Sequence, residues 1–203
     1  MSAPARLAVL ASGGGRSLEN LAEVIARGEL AAELVLVITD RPAIGALERS
    51  ARLGIESLVL PYADLGGAAG FSARVFAELD ARRVTLCVLA GFLRLLKVPS
   101  HWSGRVLNIH PALLPAFGGK GFYGDRVHRA VLESGVAETG CTVHYVDDEY
   151  DHGPILLQRR VAVLPGDTVE SLAGRVFEEE KIALPEALRN HFARSAAGRS
   201  GSS

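Results

Sequence analysis

The segment Arg-Leu-Ala-Val-Leu-Ala-Ser-Gly-Gly-Gly-Arg-Ser-Leu at residues 6–18 is the best starting point for inferring the architecture. Its apolar part, 6–11, is typical of a buried β-strand, and the glycines that follow are typical of a tight turn. Leu18, Leu21, Val24 and Ile25 then recur at helical spacing. A strand, a glycine turn and a helix in this order indicate the first unit of an open α/β sheet.

The same alternation continues along the chain. Further strands are predicted at 33–39, 56–60, 84–90 and 105–109, and helices at 44–53, 71–82 and 126–133. The run 84–90 is the most apolar, which is typical of a central strand buried on both faces. The chain is therefore predicted to form a doubly wound, mostly parallel α/β sheet with helices on both faces.

The C-terminal half shows a different pattern. Two predicted strands, 141–146 and 155–163, flank an acidic loop, which indicates an antiparallel addition to the sheet. A helix is predicted over 169–192, and Pro185 is expected to kink or divide it. We predict a single domain over 1–192 and a disordered tail over 193–203, where the residues are small and polar.

Length and composition exclude several classes of protein. The chain has 203 residues, enough for one domain with a substantial core. Its net charge of -1 argues against nucleic-acid binding through bulk charge. The longest uncharged apolar run, 84–93, is too short to span a bilayer, and 1–6 contain no signal-peptide core. We expect a cytoplasmic protein without nucleic-acid or membrane partners, either an enzyme or a ligand-binding domain.

The glycine turn at 13–17 is a candidate anion site. A helix N-terminus presents free backbone N–H groups, and glycines let a phosphate approach them closely. The dinucleotide fingerprint fails because Leu18 occupies its last position, and no Walker lysine follows the turn. A monophosphate site remains, with a plain glycine-rich turn as the alternative.

The segment Asn108-Ile109-His110 ends a predicted strand. Residues i and i+2 share one face of a strand, so the Asn108 amide and the His110 imidazole should point the same way. An amide donor beside an imidazole can stabilise an oxyanion. The alternative is a strand-end cap next to a surface histidine.

The acidic loop 147–154 contains Asp147, Glu149 and Asp151. A calcium-binding EF-hand is only weakly supported, because His152 and Gln158 stand where glycine and glutamate are required. The cysteines, Cys87 and Cys141, have no metal-ligand spacing, so no metal is expected. One carboxylate of this loop can instead orient His110. The alternative is a solvated turn.

Taken together, four motifs resemble the phosphoribosylglycinamide formyltransferases. They are Ser-Gly-Gly-Gly-Arg-Ser-Leu at 12–18, Leu-Ala-Gly-Phe-Leu-Arg-Leu-Leu at 89–96, Asn-Ile-His-Pro-Ala-Leu-Leu-Pro at 108–115 and Asp-His-Gly-Pro at 151–154. The resemblance covers about residues 6–190. It implies a doubly wound α/β fold and formyl transfer from 10-formyltetrahydrofolate to the amine of 5-phosphoribosylglycinamide, a step of de novo purine synthesis.

The resemblance also implies roles for individual residues. The catalytic trio of that family matches Asn108, His110 and Asp151. The mechanism that the resemblance implies has a protonated His110, and Asp151 raises the pKa of its imidazole. The residues implied in binding the phosphoribosyl substrate are Gly13, Gly15, Arg16, Ser17 and Glu180. Those implied in binding folate are Leu93, Arg94, Leu95, Leu96, Asn108, Val146, Asp147 and Asp151.

The chain departs from the family pattern at four places. Ser17 replaces a common asparagine, Ala112 a common serine and Lys181 a common histidine, and no basic residue lies near 66–70. None of these departures removes the trio.

The alternatives are a formyltetrahydrofolate deformylase, which needs no phosphoribosyl site, and a non-catalytic folate or phosphosugar binding module. A monomer or a homodimer is expected.

Overall fold

The computed structural model describes residues 4–200. Seven strands form one sheet in the order β3-β2-β1-β4-β5-β6-β7. The elements, in chain order, are β1 (Ala5–Ala11), α1 (Arg16–Ala26), β2 (Ala32–Thr39), α2 (Gly45–Arg52), β3 (Ser57–Val59), α3 (Gly67–Ala81), β4 (Leu86–Ala90), β5 (Val106–His110), α4 (Asp125–Ser134), β6 (Glu138–Tyr145), β7 (Ile155–Ala162) and α5 (Val169–Ser200).

The sheet is mostly parallel, as predicted. Strands β1 to β5 pair in parallel, whereas β6 runs antiparallel to β5, and β7 antiparallel to β6. Strand order reverses between β1 and β4, because the chain builds outward to β3 and then returns to the other side of β1. In open α/β sheets, a ligand crevice forms beyond the carboxyl ends of the strands at such a reversal.

Each face of the sheet carries its own apolar core. One core packs α1, α4 and α5 against the strands through residues such as Leu18, Val127 and Leu184. The other includes Phe71 and Leu79 of α3, together with other residues of that face. Burying one such side chain contributes about 1.5–3 kcal/mol. Both cores leave the carboxyl edge of the sheet free for other contacts.

Helix α5 contains Pro185 but is not divided by it. A proline has no N–H for the carbonyl four residues earlier, which here belongs to Lys181. The Asn20 side chain of α1 donates to this carbonyl at 3.0 Å. Because a side chain supplies the missing donor, the helix continues through the proline, and the expected division does not occur.

Several other boundaries differ from the sequence predictions, among them the start of β6 at Glu138 and not at 141. Helix α3 begins at Gly67 and not at 71, because its first turn, Gly-Ala-Ala-Gly, has no apolar spacing to reveal it. Helix α5 continues to Ser200, beyond the predicted end at 192, which corrects the predicted tail over 193–200. Alanine and arginine are frequent in that stretch, and both favour helix. The rest of that tail, 201–203, lies outside the described residues.

Candidate active site

A cavity of about 800 Å³ lies at the carboxyl edge of the sheet, where the strand order reverses. Loops that follow β1, β2, β4 and β5 surround it, together with the loop between β6 and β7 and one face of α5. Its lining residues are 13–17, Arg41, 90–94, 108–111, 119–124, Tyr150, Asp151, Phe177 and Glu180.

The structure brings together Asn108, His110 and Asp151. The first two lie on β5 with their side chains on one face, as the sequence predicts. Asp151 comes from the loop after β6, and its Oδ1 accepts a hydrogen bond from Asn108 Nδ2 at 3.0 Å. Its Oδ2 lies 3.5 Å from His110 Nδ1. An amide, an imidazole and a carboxylate thus meet at the wall of the cavity.

His110 is held on both sides of its ring. Its Nε2 lies 2.8 Å from the Phe117 carbonyl oxygen, which can only accept, so Nε2 carries a proton. Burial lowers the pKa of His110, and this outweighs Asp151 and the Phe117 carbonyl, which both raise it. His110 is therefore mostly neutral at neutral pH. The ring is only 4% exposed, and this burial is the largest cause of the lowered pKa of His110.

Asp151 is an ionised carboxylate. Burial raises its pKa, but contacts with His144, His110 and the Gly119 N–H outweigh burial and leave the pKa of Asp151 below its usual value. The Gly119 N–H donates to Oδ2 at 2.9 Å. Asp151 itself has a positive φ of 53°, a conformation that non-glycine residues seldom adopt. Such strain is frequent at functional sites.

His144 also belongs to this cluster, although nothing in its sequence context indicates it. It lies opposite Asn108 in the antiparallel pairing of β5 with β6. Its Nδ1 lies 2.8 Å from the Tyr145 carbonyl oxygen, and because an amide nitrogen only donates, its Nε2 accepts from Asn108 Nδ2 at 3.0 Å. Both hydrogens of the Asn108 amide nitrogen are thereby used. Only the register of two strands reveals this contact, and sequence reasoning therefore missed His144.

The glycine turn lies where the sequence predicts it. Gly13, Gly15, Arg16 and Ser17 all line the cavity, and α1 begins directly after Gly15. Gly15 has a φ of +79°, and a Cβ there would lie 2.7 Å from Ala46 Cα. Only glycine allows α2 to pack this closely against the turn. The N–H groups of the first turn of α1 are therefore directed at the cavity.

The wall beside this turn comes from α5. The Arg16 guanidinium lies 4.0 Å from the centre of the Phe177 ring, a favourable cation–π distance. Glu180 lines the same wall, and burial raises the pKa of Glu180 to about 7, although Arg16 acts in the opposite direction. A carboxyl group that titrates near neutral pH is able to accept a proton from an amine.

The residues expected to bind folate are not all found together. Leu93 and Arg94 line the cavity beside Asn108 and Asp151. Leu95 is absent from the lining, and Leu96 is 1% exposed in the core of the α3 face. Val146 and Asp147 line a separate depression of about 450 Å³. Asp147 instead pairs with the exposed His152, whose Nδ1 lies 2.7 Å from Asp147 Oδ2.

Two further features bear on the function of a protein: clusters of metal-binding side chains and helices that can span a membrane. Within residues 4–200, no group of three or more His, Cys, Asp or Glu side chains is arranged to hold a metal ion. Across that same range, no helix has the length and apolarity needed to cross a membrane. The cavity at the carboxyl edge is the candidate functional site on the strength of the residues that line it.

Comparison with known proteins shows one consistent similarity. A family model described as formyl transferase matches residues 5–188. A chloroplastic phosphoribosylglycinamide formyltransferase of Arabidopsis thaliana is 44% identical over 86% of the chain, and a trifunctional purine biosynthetic protein adenosine-3 of Drosophila pseudoobscura is 43% identical over 90%. The crystal structure of glycinamide ribonucleotide transformylase 1 from Symbiobacterium toebii superposes with a TM-score of 0.86 at 40% identity.

The lengths of these proteins differ. The chain spans 61% of the Arabidopsis protein and 13% of the Drosophila protein. It covers 88% of the Symbiobacterium chain, and 93% of its own residues take part in that superposition. The similarity therefore concerns this one folded unit, including the elements that surround the cavity.

Proposed function

Because this chain belongs to the formyl transferase family, we propose that it transfers a formyl group from 10-formyltetrahydrofolate to the amine of 5-phosphoribosylglycinamide. One observation carries the proposal: Asn108, His110 and Asp151 converge on the wall of a single cavity that also contains the glycine turn and Glu180. A purine-synthesis role is supported by the names of the similar proteins from Drosophila and Arabidopsis.

The two halves of the cavity suit two different ligands. The half beside α5 contains the N-terminus of α1 and Arg16, which favour a phosphate. Glu180 in that half suits the substrate amine. The other half contains Phe92, Leu93 and Tyr150, whose apolar and aromatic surfaces suit the flat ring of a folate. Asn108, Asp151 and Arg94 are the polar groups proposed to orient that ring, and Leu95, Leu96, Val146 and Asp147 stay predictions as folate contacts.

The chemistry needs a base, an oxyanion stabiliser and a proton donor. When the amine attacks the formyl carbon, the formyl oxygen becomes negative and the amine must lose a proton. Neutral His110 can take a proton on Nδ1, and ionised Asp151 then stabilises the imidazolium at 3.5 Å. Asn108 exchanges one of its present hydrogen bonds for one to the oxyanion. The proton finally passes to the departing nitrogen of folate.

A coupled absorbance assay tests this proposal. Formation of tetrahydrofolate from 10-formyltetrahydrofolate should require the phosphoribosylglycinamide amine. Folate turnover without the amine would identify a deformylase instead. Thermal stabilisation by either ligand without turnover would identify a binding module.

Two other properties stay predictions. A cytoplasmic location is proposed, although the Arabidopsis relative is named as a chloroplastic protein. A monomer or homodimer is proposed for the assembly state.

A further inference from the structure

Asp40 is an enclosed carboxylate that the reaction itself does not use. It follows β2, and its side chain is 0% exposed. The Arg94 Nε donates to it at 2.7 Å, and Arg41 donates with two groups at 3.3 Å. Burial raises the pKa of Asp40, but Arg41, Ser12 and Arg94 outweigh burial and keep that pKa below its usual value. Asp40 is therefore ionised between two guanidinium groups.

This carboxylate connects three loops of the cavity. Ser12, directly after β1, helps to lower the pKa of Asp40, and its Oγ accepts the Leu93 N–H at 3.0 Å. Arg94 follows β4, and its guanidinium lies 4.8 Å from the Tyr62 ring centre. The loops after β1, β2 and β4 thus depend on one buried charge for their relative positions.

The charge of Asp40 also has an electrostatic effect. Arg41 and Arg94 both line the cavity, and both converge on the same carboxylate. Without that negative charge, the two positive groups would repel each other and separate. Within residues 4–200, the Nη groups of Arg94 make no hydrogen bond, so they can take a ligand.

We propose that Asp40 is a positioning residue for the folate half of the cavity, acting by holding Arg94 and the 91–94 loop in place. The inference rests on the proposed function, because it assumes that folate occupies that half. Asp40 does not line the cavity and acts only through its partners. It should therefore affect folate binding much more than the rate of the chemical step.

Binding of tetrahydrofolate to the full chain, measured by anaerobic titration calorimetry, tests the proposal. Asp40→Asn keeps the shape of the side chain and removes its charge, so the Kd should rise about tenfold, the usual range for a lost charged hydrogen bond. In the transferase assay, the KM for the folate should rise similarly. The kcat and the KM for the phosphoribosyl amine should change less than twofold.

A matched control separates positioning from general stability. Asp167 is also an enclosed carboxylate, 4% exposed in its side chain and bonded to Arg175, but it lies outside the cavity lining. Asp167→Asn should lower the thermal stability and leave the Kd for tetrahydrofolate unchanged. An equal loss of folate affinity in both variants would overturn the proposal, as would an unchanged Kd in Asp40→Asn.

A second-site change tests the electrostatic cause. In Asp40→Asn/Arg41→Gln, one of the two repelling charges is gone, so part of the lost folate affinity should return. Failure of this rescue would contradict repulsion as the cause. If Asp40→Asn does not fold, Ser12→Ala replaces it, with an expected Kd increase of about threefold from one lost neutral hydrogen bond. If the wild type does not bind tetrahydrofolate, the proposed function itself fails.

Discussion

The pair formed by His110 and Asp151 shows how two opposing effects determine one protonation state. Burial favours the neutral imidazole, whereas the ionised carboxylate 3.5 Å away favours the imidazolium. Burial dominates in the free protein. In the proposed reaction the imidazole becomes charged, and Asp151 is already in place to stabilise it.

Replacing Asp151 by Asn tests this balance. The change removes the charge that raises the pKa of His110, so the Phe117 carbonyl is left to oppose burial and the pKa falls further. The imidazolium becomes harder to form, and kcat should fall about 10²–10³-fold, within the usual range for acid–base catalysis. Steady-state kinetics measure the rate, and an NMR titration of the His110 ring measures the pKa.

Glu149→Gln is a suitable control, because Glu149 is exposed in the same loop. Its kcat should match the wild type. An Asp151→Asn variant with full turnover would exclude Asp151 from catalysis.

Glu180 gives a prediction about pH and stability. Its pKa is about 7 in the folded chain, against an ordinary value of 4.5, so folding favours its protonated form. The contribution of protonated Glu180 to the free energy of unfolding is complete below pH 4.5 and is lost as the pH rises through 7. Glu180→Gln should therefore be more stable than the wild type at pH 8, by on the order of 1–3 kcal/mol.

Urea unfolding of both proteins between pH 4.5 and pH 8 measures this difference. The difference in unfolding free energy should be small near pH 4.5 and should stop growing above about pH 7. Glu178→Gln, on the exposed side of α5, controls for the loss of one negative charge. Parallel stability curves for Glu180→Gln and the wild type would contradict a raised pKa at this position.

At the scale of elements, the turn between β1 and α1 depends on Gly15. Gly15→Ala forces an alanine into a φ of +79° and places its Cβ 2.7 Å from Ala46 Cα. The strain and the clash together should cost about 1–3 kcal/mol in the free energy of unfolding. Binding of inorganic phosphate to the turn should also weaken, which calorimetry can measure.

Gly28→Ala provides the comparison. Gly28 also has a positive φ, of +73°, but a Cβ added there would meet no atom within 4 Å. Gly28→Ala should lower the free energy of unfolding by about 1 kcal/mol, from the backbone conformation alone, and should leave phosphate binding unchanged. Equal effects of the two variants on stability and binding would show that contact with α2 does not matter.

The sequence predicts helices and strands best in segments where a single hydrophobic periodicity dominates. The alternation of strands and helices and the shared face of Asn108 and His110 are local patterns, and the structure confirms both. The continuity of α5 through Pro185 depends on Asn20 of another helix, which no local pattern contains. For the same reason, the contacts of His144 and Asp40 could not be predicted, because strand register and ion pairs join distant segments.

At the scale of the whole molecule, the two cysteines report on the integrity of both cores. Cys87 lies in β4 and Cys141 in β6, and both are 0% exposed. Burial raises the pKa of each thiol, so neither should be reactive in the native state. Ellman's reagent at pH 8 should modify neither native thiol within the time that denatured protein needs for both. Rapid modification of the native protein would contradict this packing.

The overall fold and the position of the cavity were predictable because a parallel sheet directs its strand ends, and the loops that follow them, to one edge. The position of Leu96, Val146 and Asp147 outside the cavity lining was not predictable, and their folate contacts stay predictions. Each of them belongs to a loop whose path depends on packing elsewhere in the molecule. The fold therefore predicts where the candidate site lies, and the contacts decide which residues line it.

Formyl transfer to the phosphoribosyl amine at the cluster of Asn108, His110 and Asp151 is tested most directly by carbon-13 NMR. A 10-formyltetrahydrofolate labelled in its formyl carbon lets the transferred group itself be followed. The label should appear as a formamide on the phosphoribosylglycinamide product, and His110→Ala should slow its appearance by about a hundredfold or more. Release of the label as free formate, or equal transfer by the variant, would contradict the proposed reaction.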